Sequence, residues 1–317
     1  MGFGGTIALV FAFVILGYLI ARSGVTREGT GEALGDFVIT VAIPVLLFRT
    51  LAEADFGGTE PLRLWTAYFG AIAVTWAVGT MVLRKGFGRD ARAGMVAGLA
   101  ASFSNLVLLG IPLIQAVFGP EGFAVLSLLL AVHLPVMMTA SVVLHEVAER
   151  RDGVIDAGID ARSVAVRLLR NLMRNPILIG IALGLLARLL PVAPPVLFEE
   201  IVDRLADLAG TLALVSLGMS LHRFGIASNA TQGASIAAVK MLVMPTVAMV
   251  LCLALALPPL VAAVVLVCAA SPTGVNPYLI ANKLGVGEAV ASNTMVMATA
   301  VSPVLLLFWL WVARTLF

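Results

Sequence analysis

The sequence predicts an all-α integral membrane protein of ten transmembrane helices. They form two inverted five-helix repeats, with interrupted crossing helices at spans four and nine. Three observations carry this. Of 317 residues, 61% are hydrophobic and 12% charged, with a mean hydropathy of +1.06; a soluble domain carries about twice that charged fraction. Apolar windows of the roughly 20 residues that cross a bilayer recur along the chain. The two halves then repeat short motifs in the same order. This composition excludes a secreted disulfide scaffold and a cytosolic enzyme. A net charge of +2 implies no strongly basic surface and no nucleic-acid partner.

The windows lie near residues 5–21, 34–51, 63–83, 93–118, 122–145, 173–190, 205–221, 233–256, 259–282 and 288–313. Residues 1–145 therefore hold the first repeat and 173–317 the second. Residues 146–172 form a charged loop with a short amphipathic helix. Most Lys and Arg residues fall in the links after the odd spans, such as Arg84, Lys85, Arg89 and Arg92. The positive-inside bias makes those links cytoplasmic and both termini external, in the plasma membrane. Trp309 and Trp311 read as an aromatic belt, and Arg49 as an interfacial anchor.

Met1-Gly2 formally fits a myristoylation pattern, but the apolar run that follows reads as the first span. No basic segment precedes that run, so no cleaved signal peptide is expected. Cys252 and Cys268 sit in apolar runs without metal-ligand spacing and read as small buried hydrophobes. His133, His145 and His222 show no zinc pattern with carboxylates. No metal, cofactor or catalytic group is expected, and the chain is not read as an enzyme.

The repeat is visible in residues. Leu34, Asp36, Thr40 and Ala42 recur as Leu205, Asp207, Thr211 and Ala213. Ala100-Ala101-Ser102 with Pro112 recurs as Ala269-Ala270-Ser271 with Pro277, and Gly119 as Gly285. An odd number of spans per copy inverts the second copy, the plan common among secondary transporters.

Spans four and nine carry the candidate site. Span four holds Ser104, Asn105, Gly110 and Pro112; span nine holds Pro272, Thr273, Asn276 and Pro277. Proline has no N–H and clashes with the preceding turn, so it breaks or kinks a helix. Unwound backbone survives in a membrane only inside protein or against a wet cavity. Half-helix N-termini then offer N–H groups and a positive dipole end to an anion. Ordinary proline kinks packed by polar residues are the alternative reading. The acidic residues lie in links or near span ends, so a midplane carboxylate relay is not expected. The ion-coupling candidates are His133, near the middle of span five, and Lys240, about two turns into span eight. His133 could equally be a neutral residue bonded between helices, and Lys240 could snorkel to the interface. Sodium and proton coupling both stay open.

Ser104-Asn105, Gly110-Ile111-Pro112-Leu113 and Phe118-Gly119-Pro120-Glu121-Gly122 resemble the auxin efflux carrier family. So do Asn175-Pro176, Leu217-Gly218-Met219-Ser220-Leu221, Lys240 through Pro245, and Ala291-Ser292 with Thr299. The resemblance covers essentially the whole chain. It implies a ten-span fold related to sodium–bile acid symporters. Spans 1, 2, 6 and 7 would form a scaffold, and spans 3–5 and 8–10 a transport domain that moves as an elevator. It also implies a homodimer through the scaffold and a small carboxylate substrate: malate or malonate for bacterial members, auxin for plant members. The short central loop is similar to the bacterial type. Leu106-Val107-Leu108-Leu109 departs from the small or aromatic residues that often precede Gly-Ile-Pro, which affects the pocket shape. The function expected is secondary transport of an organic anion. A channel or a substrate-sensing receptor of the same fold is the alternative.

Overall fold

The computed structural model describes residues 2–53, 60–154, 166, 170, 173–189, 194–224 and 228–317. Among the described residues every regular element is a helix. In order these are α1 (Phe3–Ser23), α2 (Thr30–Glu53), α3 (Pro61–Gly86), α4 (Ala91–Ser102), α5 (Leu106–Arg151), α6 (Pro176–Leu189), α7 (Val196–Phe224), α8 (Ala230–Ala254), α9 (Pro259–Ala270), α10 (Asn276–Leu284) and α11 (Glu288–Leu316). Seven of them (α1, α2, α3, α5, α7, α8 and α11) are long and apolar enough to cross a membrane. The windows at 173–190 and 259–282 correspond to shorter apolar helices, α6 and α9. Most of the amphipathic segment expected within 146–172 lies outside the described residues.

Prolines shape these helices in a regular way. Three π-turns, Val38–Ala42, Leu106–Gly110 and Val239–Val243, each end two residues before a proline: Pro44, Pro112 and Pro245. The proline ring displaces the carbonyl four residues back, and the turn widens to relieve it. In α8 the displaced carbonyl, on Met241, accepts the Trp309 indole N–H at 3.0 Å. Trp309 is 5% exposed. It is therefore an internal hydrogen-bond donor, which corrects the belt reading; Trp311, at 62%, faces outward. Within α5 the chain turns sharply at Gly119, whose φ of 65° and ψ of −159° are not helical. That corner separates an arm of residues 106–118 from one of 120–151, matching the boundary read between spans four and five.

The chain packs as two compact units. One comprises Met1–Thr59, Leu106–His133 and Val166–Arg223; the other comprises Glu60–Asn105, Leu134–Ala165 and Phe224–Phe317. In the first, α1 and α7 touch backbone to backbone. A Cβ on Gly17 would fall 2.1 Å from the Val215 carbonyl oxygen, and one on Gly218 1.9 Å from that of Val14. Small residues permit such approach in a medium where packing, not the hydrophobic effect, holds helices together. Arg49 is not a lone anchor: it bonds the carboxylates of Asp203 at 3.2 Å and Asp207 at 2.9 Å on α7. Arg223 pairs with Glu32.

In the second unit, α3 packs on α4 through Gly79 and Gly98, and Leu83, Ala97, Ala101 and Ile236 are fully buried together. Asp90 N-caps α4 through the Ala93 N–H at 2.9 Å. Asp152, just beyond α5, accepts from the Ala91 N–H at 3.0 Å and the Arg92 N–H at 2.9 Å. These are orphan donors at the positive end of a helix. Burial pushes the Asp152 carboxyl up, but the two N–H donors and the Arg92 guanidinium outweigh it and hold it below its ordinary 3.8. A depressed carboxylate stabilises the fold above its unfolded pKa and loses that effect as pH falls through the folded one. Asp152→Asn should therefore lower the melting temperature in detergent at pH 7. As pH falls through the lowered folded pKa of Asp152 the two melting temperatures should converge, since both side chains are then neutral.

Candidate functional site

The second unit contains the residues around which the two interrupted stretches meet. α4 ends at Ser102 and α9 at Ala270, and after each the backbone becomes extended at Phe103 and Ser271. The extended segments lie antiparallel, bridged at Ser104 and Thr273. The Asn105 N–H donates to the Pro272 carbonyl at 2.8 Å, and the Gly274 N–H to the Phe103 carbonyl at 3.1 Å. Pro272 itself has no N–H, so its place in the bridge asks only for its carbonyl. This pairing resolves the problem of unwound backbone within an apolar interior, because each strand satisfies the other.

Side chains then close the helix ends. The Thr273 hydroxyl donates to the Ala100 carbonyl at 2.8 Å, in the last turn of α4. The Lys240 Nζ donates to the Ala269 carbonyl at 2.8 Å, in the last turn of α9. Lys240 also reaches the Ser104 hydroxyl at 2.7 Å and the Met244 sulfur at 2.9 Å. Those carbonyls are the orphan acceptors and negative dipole ends of their helices, where a cation is favoured. Lys240 is 0% exposed, so it does not snorkel. It stands on the π-turn of α8, which is how a proline at position 245 bears on the crossing.

Ser104, Asn105 and Thr273 are buried, as are Pro272 and Pro277. Asn276 and Pro277 open α10, whose first turn has no side-chain cap. Pro277 has no N–H, and the Tyr278 and Leu279 N–H groups bond the Val275 carbonyl at 3.0 and 3.2 Å, so the donor this end offers is the Asn276 N–H. The structure thus brings Ser104, Asn105, Pro272, Thr273 and Lys240 together, with Asn276 and Pro277 at the start of the following helix. Gly110 and Pro112 belong to the first unit. Both are buried there, and a side chain on Gly210 of α7 would touch Pro112. His133 is 4% exposed, on the second arm of α5, and closes a segment of the first unit. The bond pattern adds Met244 and the carbonyls of Ala100 and Ala269, and Tyr68, fully buried, lies within reach of Ser104. Met244 was legible as the i+4 neighbour of Lys240; Tyr68, in a distant span, carried no such signal. Cys252 and Cys268 are buried and form no disulfide. Among the described residues no three His, Cys, Asp or Glu side chains are grouped to hold a metal ion.

A family model described as "Membrane transport protein" matches residues 4–310. A protein of Rhizobium meliloti named "Putative malonate transporter" is 26% identical over 318 residues, covering 94% of this chain and 92% of its own. A protein of Methanothermobacter thermautotrophicus named "Uncharacterized transporter" is 34% identical over 129 residues, 38% of this chain and 40% of that protein. The "Lysosomal cholesterol signaling protein" of Mus musculus is 24% identical over 216 residues, 67% of this chain. The match spans only a quarter of the mouse protein's length. The resemblance to auxin efflux carriers is borne out, and with it the reading of a transporter-type membrane protein. The chain belongs to the membrane transport protein family, that of the auxin efflux carriers.

Proposed function

We propose that this protein is a secondary transporter of a small organic anion, a dicarboxylate of the malonate or malate kind, driven by protons and not by sodium. The observation that carries the reading is the crossing at Ser104 and Thr273, with Lys240 closing it. Interrupted helices in carriers present N-terminal ends to anionic groups, while their unwound carbonyls and C-terminal ends hold the coupling cation. Here the Nζ of Lys240 already takes the Ala269 carbonyl and the Ser104 hydroxyl. A sodium ion at that place would compete with it for the same oxygens. The N–H and side-chain amide of Asn276 at the start of α10, and the amide of Asn105, supply donors for a carboxylate. Gly110 and Pro112 shape the start of the other half-helix. His133 is the titratable partner in this scheme, its ordinary pKa lying near the working pH.

The motion proposed is an elevator. Spans 3–5 and 8–10 carry the site past a scaffold of spans 1, 2, 6 and 7, within ten spans of inverted five-helix repeats, and two copies pair through their scaffolds. The proposed setting is the plasma membrane with both termini outside. The malonate name of the Rhizobium relative selects the first substrates to try. Purified protein should be stabilised against melting by malonate or malate, equally with and without sodium. Asn105→Ala and Asn276→Ala should each raise the apparent Kd at least about tenfold, the loss of one charge-assisted hydrogen bond of ~1.5 kcal/mol or more. Wild-type affinity in both variants, with the proteins folded, defeats the site assignment.

A further inference from the structure

A second cavity, of about 830 Å³, opens in the second unit between α3 and the later arm of α5, with α4 behind it. Its body is apolar: Phe69, Trp76 and Met81 on α3, and Val136 and Leu144 on α5. With Ile72, Ala73 and Ala77 on α3, and Met137, Ala140 and Val147 on α5, the lining recurs every three or four residues, so each helix turns one continuous stripe toward the cavity. From Phe69 to Met81 the stripe is about 18 Å long at 1.5 Å per residue. That is close to the depth of one bilayer leaflet, about 15 Å as half of a hydrocarbon core of roughly 30 Å. Met81 at 50%, Val136 at 41% and Leu144 at 38% exposure leave the stripe open along its side.

One end of the cavity is different. It is lined by Arg84, Lys85 and Arg89 after the stripe on α3, and by Arg151 after the stripe on α5. Among the described residues no acidic side chain lines the cavity. The nearest carboxylates in sequence, Asp90 and Asp152, hold Arg92 and the first N–H groups of α4. Glu146 and Glu149 pair with Arg150 and His145. Among the described residues none of the four lining cations makes an ion pair. Arg84 is also held in place: its stem lies over Gly94, where a Cβ would meet the Arg84 Cγ at 2.6 Å.

An apolar channel of about leaflet depth that ends in four cations, unpaired among the described residues, matches the two parts of an anionic phospholipid. We infer that this groove binds one anionic glycerophospholipid, its acyl chain along the α3 and α5 stripes and its phosphate among Arg84, Lys85, Arg89 and Arg151. The site is separate from the crossing at Ser104 and Thr273 and does not depend on the transport reading.

The test is native mass spectrometry of the purified protein titrated with phosphatidylglycerol, or with phosphatidylcholine of the same acyl chains. The wild type should retain phosphatidylglycerol at lipid concentrations at least about tenfold lower. Lys85 and Arg89 are exposed, so Lys85→Gln/Arg89→Gln should melt as the wild type does without lipid and lose most of that preference. Addition of Arg84→Gln and Arg151→Gln should remove the rest. Equal retention of the two lipids by the wild type overturns the inference. So does an unchanged preference in the double variant, or binding of free glycerol 3-phosphate as tight as that of the lipid.

Discussion

Lys240→Met should reduce carboxylate transport in proteoliposomes at least tenfold while the protein stays folded. Methionine keeps the length and apolar stem of lysine and removes three donors and the charge. The Ser104 hydroxyl and the Ala269 carbonyl, on the two different interrupted stretches, would lose a shared partner. An acceptor left unsatisfied in a buried place costs about 1–3 kcal/mol. The variant also no longer buries an ammonium, which offsets that cost. Stability should therefore change little, while the link between the crossing and α8 is lost. Lys240→Arg should not restore transport, because the position is 0% exposed and a planar, bulkier head group overpacks it. Wild-type rates in Lys240→Met would remove Lys240 from the mechanism.

The second large effect concerns stability. Gly218→Ala places a methyl group 1.9 Å from the Val14 carbonyl oxygen and 2.8 Å from the Tyr18 nitrogen. Both are backbone atoms, so no side-chain rotation relieves the clash. α1 and α7 must separate, and overpacking of this kind costs about 1–3 kcal/mol. Gly17 meets Val215 in the same way, so separation also loosens that contact. Gly4→Ala, with nothing within 4 Å of its Cβ, is the matched control. Thermal melting in detergent should show Gly218→Ala well below both the wild type and Gly4→Ala. Coincident melting of all three would contradict the close packing of α1 on α7.

The parts of this molecule readable in its sequence are those that depend on one residue's backbone chemistry. Pro272, Pro277 and Pro112 announced the interruptions, and Gly119 the corner after them, because a proline or a positive φ acts locally. The seven longest helices fall on apolar windows, whereas the windows at 173–190 and 259–282 hold helices of only 14 and 12 residues. Partnerships were not readable, because they join residues far apart in the chain. Nothing in the sequence couples Trp309 to Met241, 68 positions away, although the missing N–H of Pro245 made some donor necessary there. Lys240 illustrates the same limit. Its position near a span end suited snorkelling, and only the approach of the α9 terminus and Ser104 gives its Nζ hydrogen-bond partners in the interior. Arg49 likewise depends on Asp203 and Asp207, more than 150 residues later.

The central claim is that the crossing serves alternating access for a small carboxylate, and counterflow tests it most directly. Proteoliposomes preloaded with unlabelled malonate or malate would be diluted into trace labelled substrate. The account predicts a transient accumulation of label above equilibrium, saturable in substrate, indifferent to sodium, increased by an opposing pH gradient, and lost in Lys240→Met. Flux that never saturates and gains nothing from substrate on the far side would identify a pore and contradict the account.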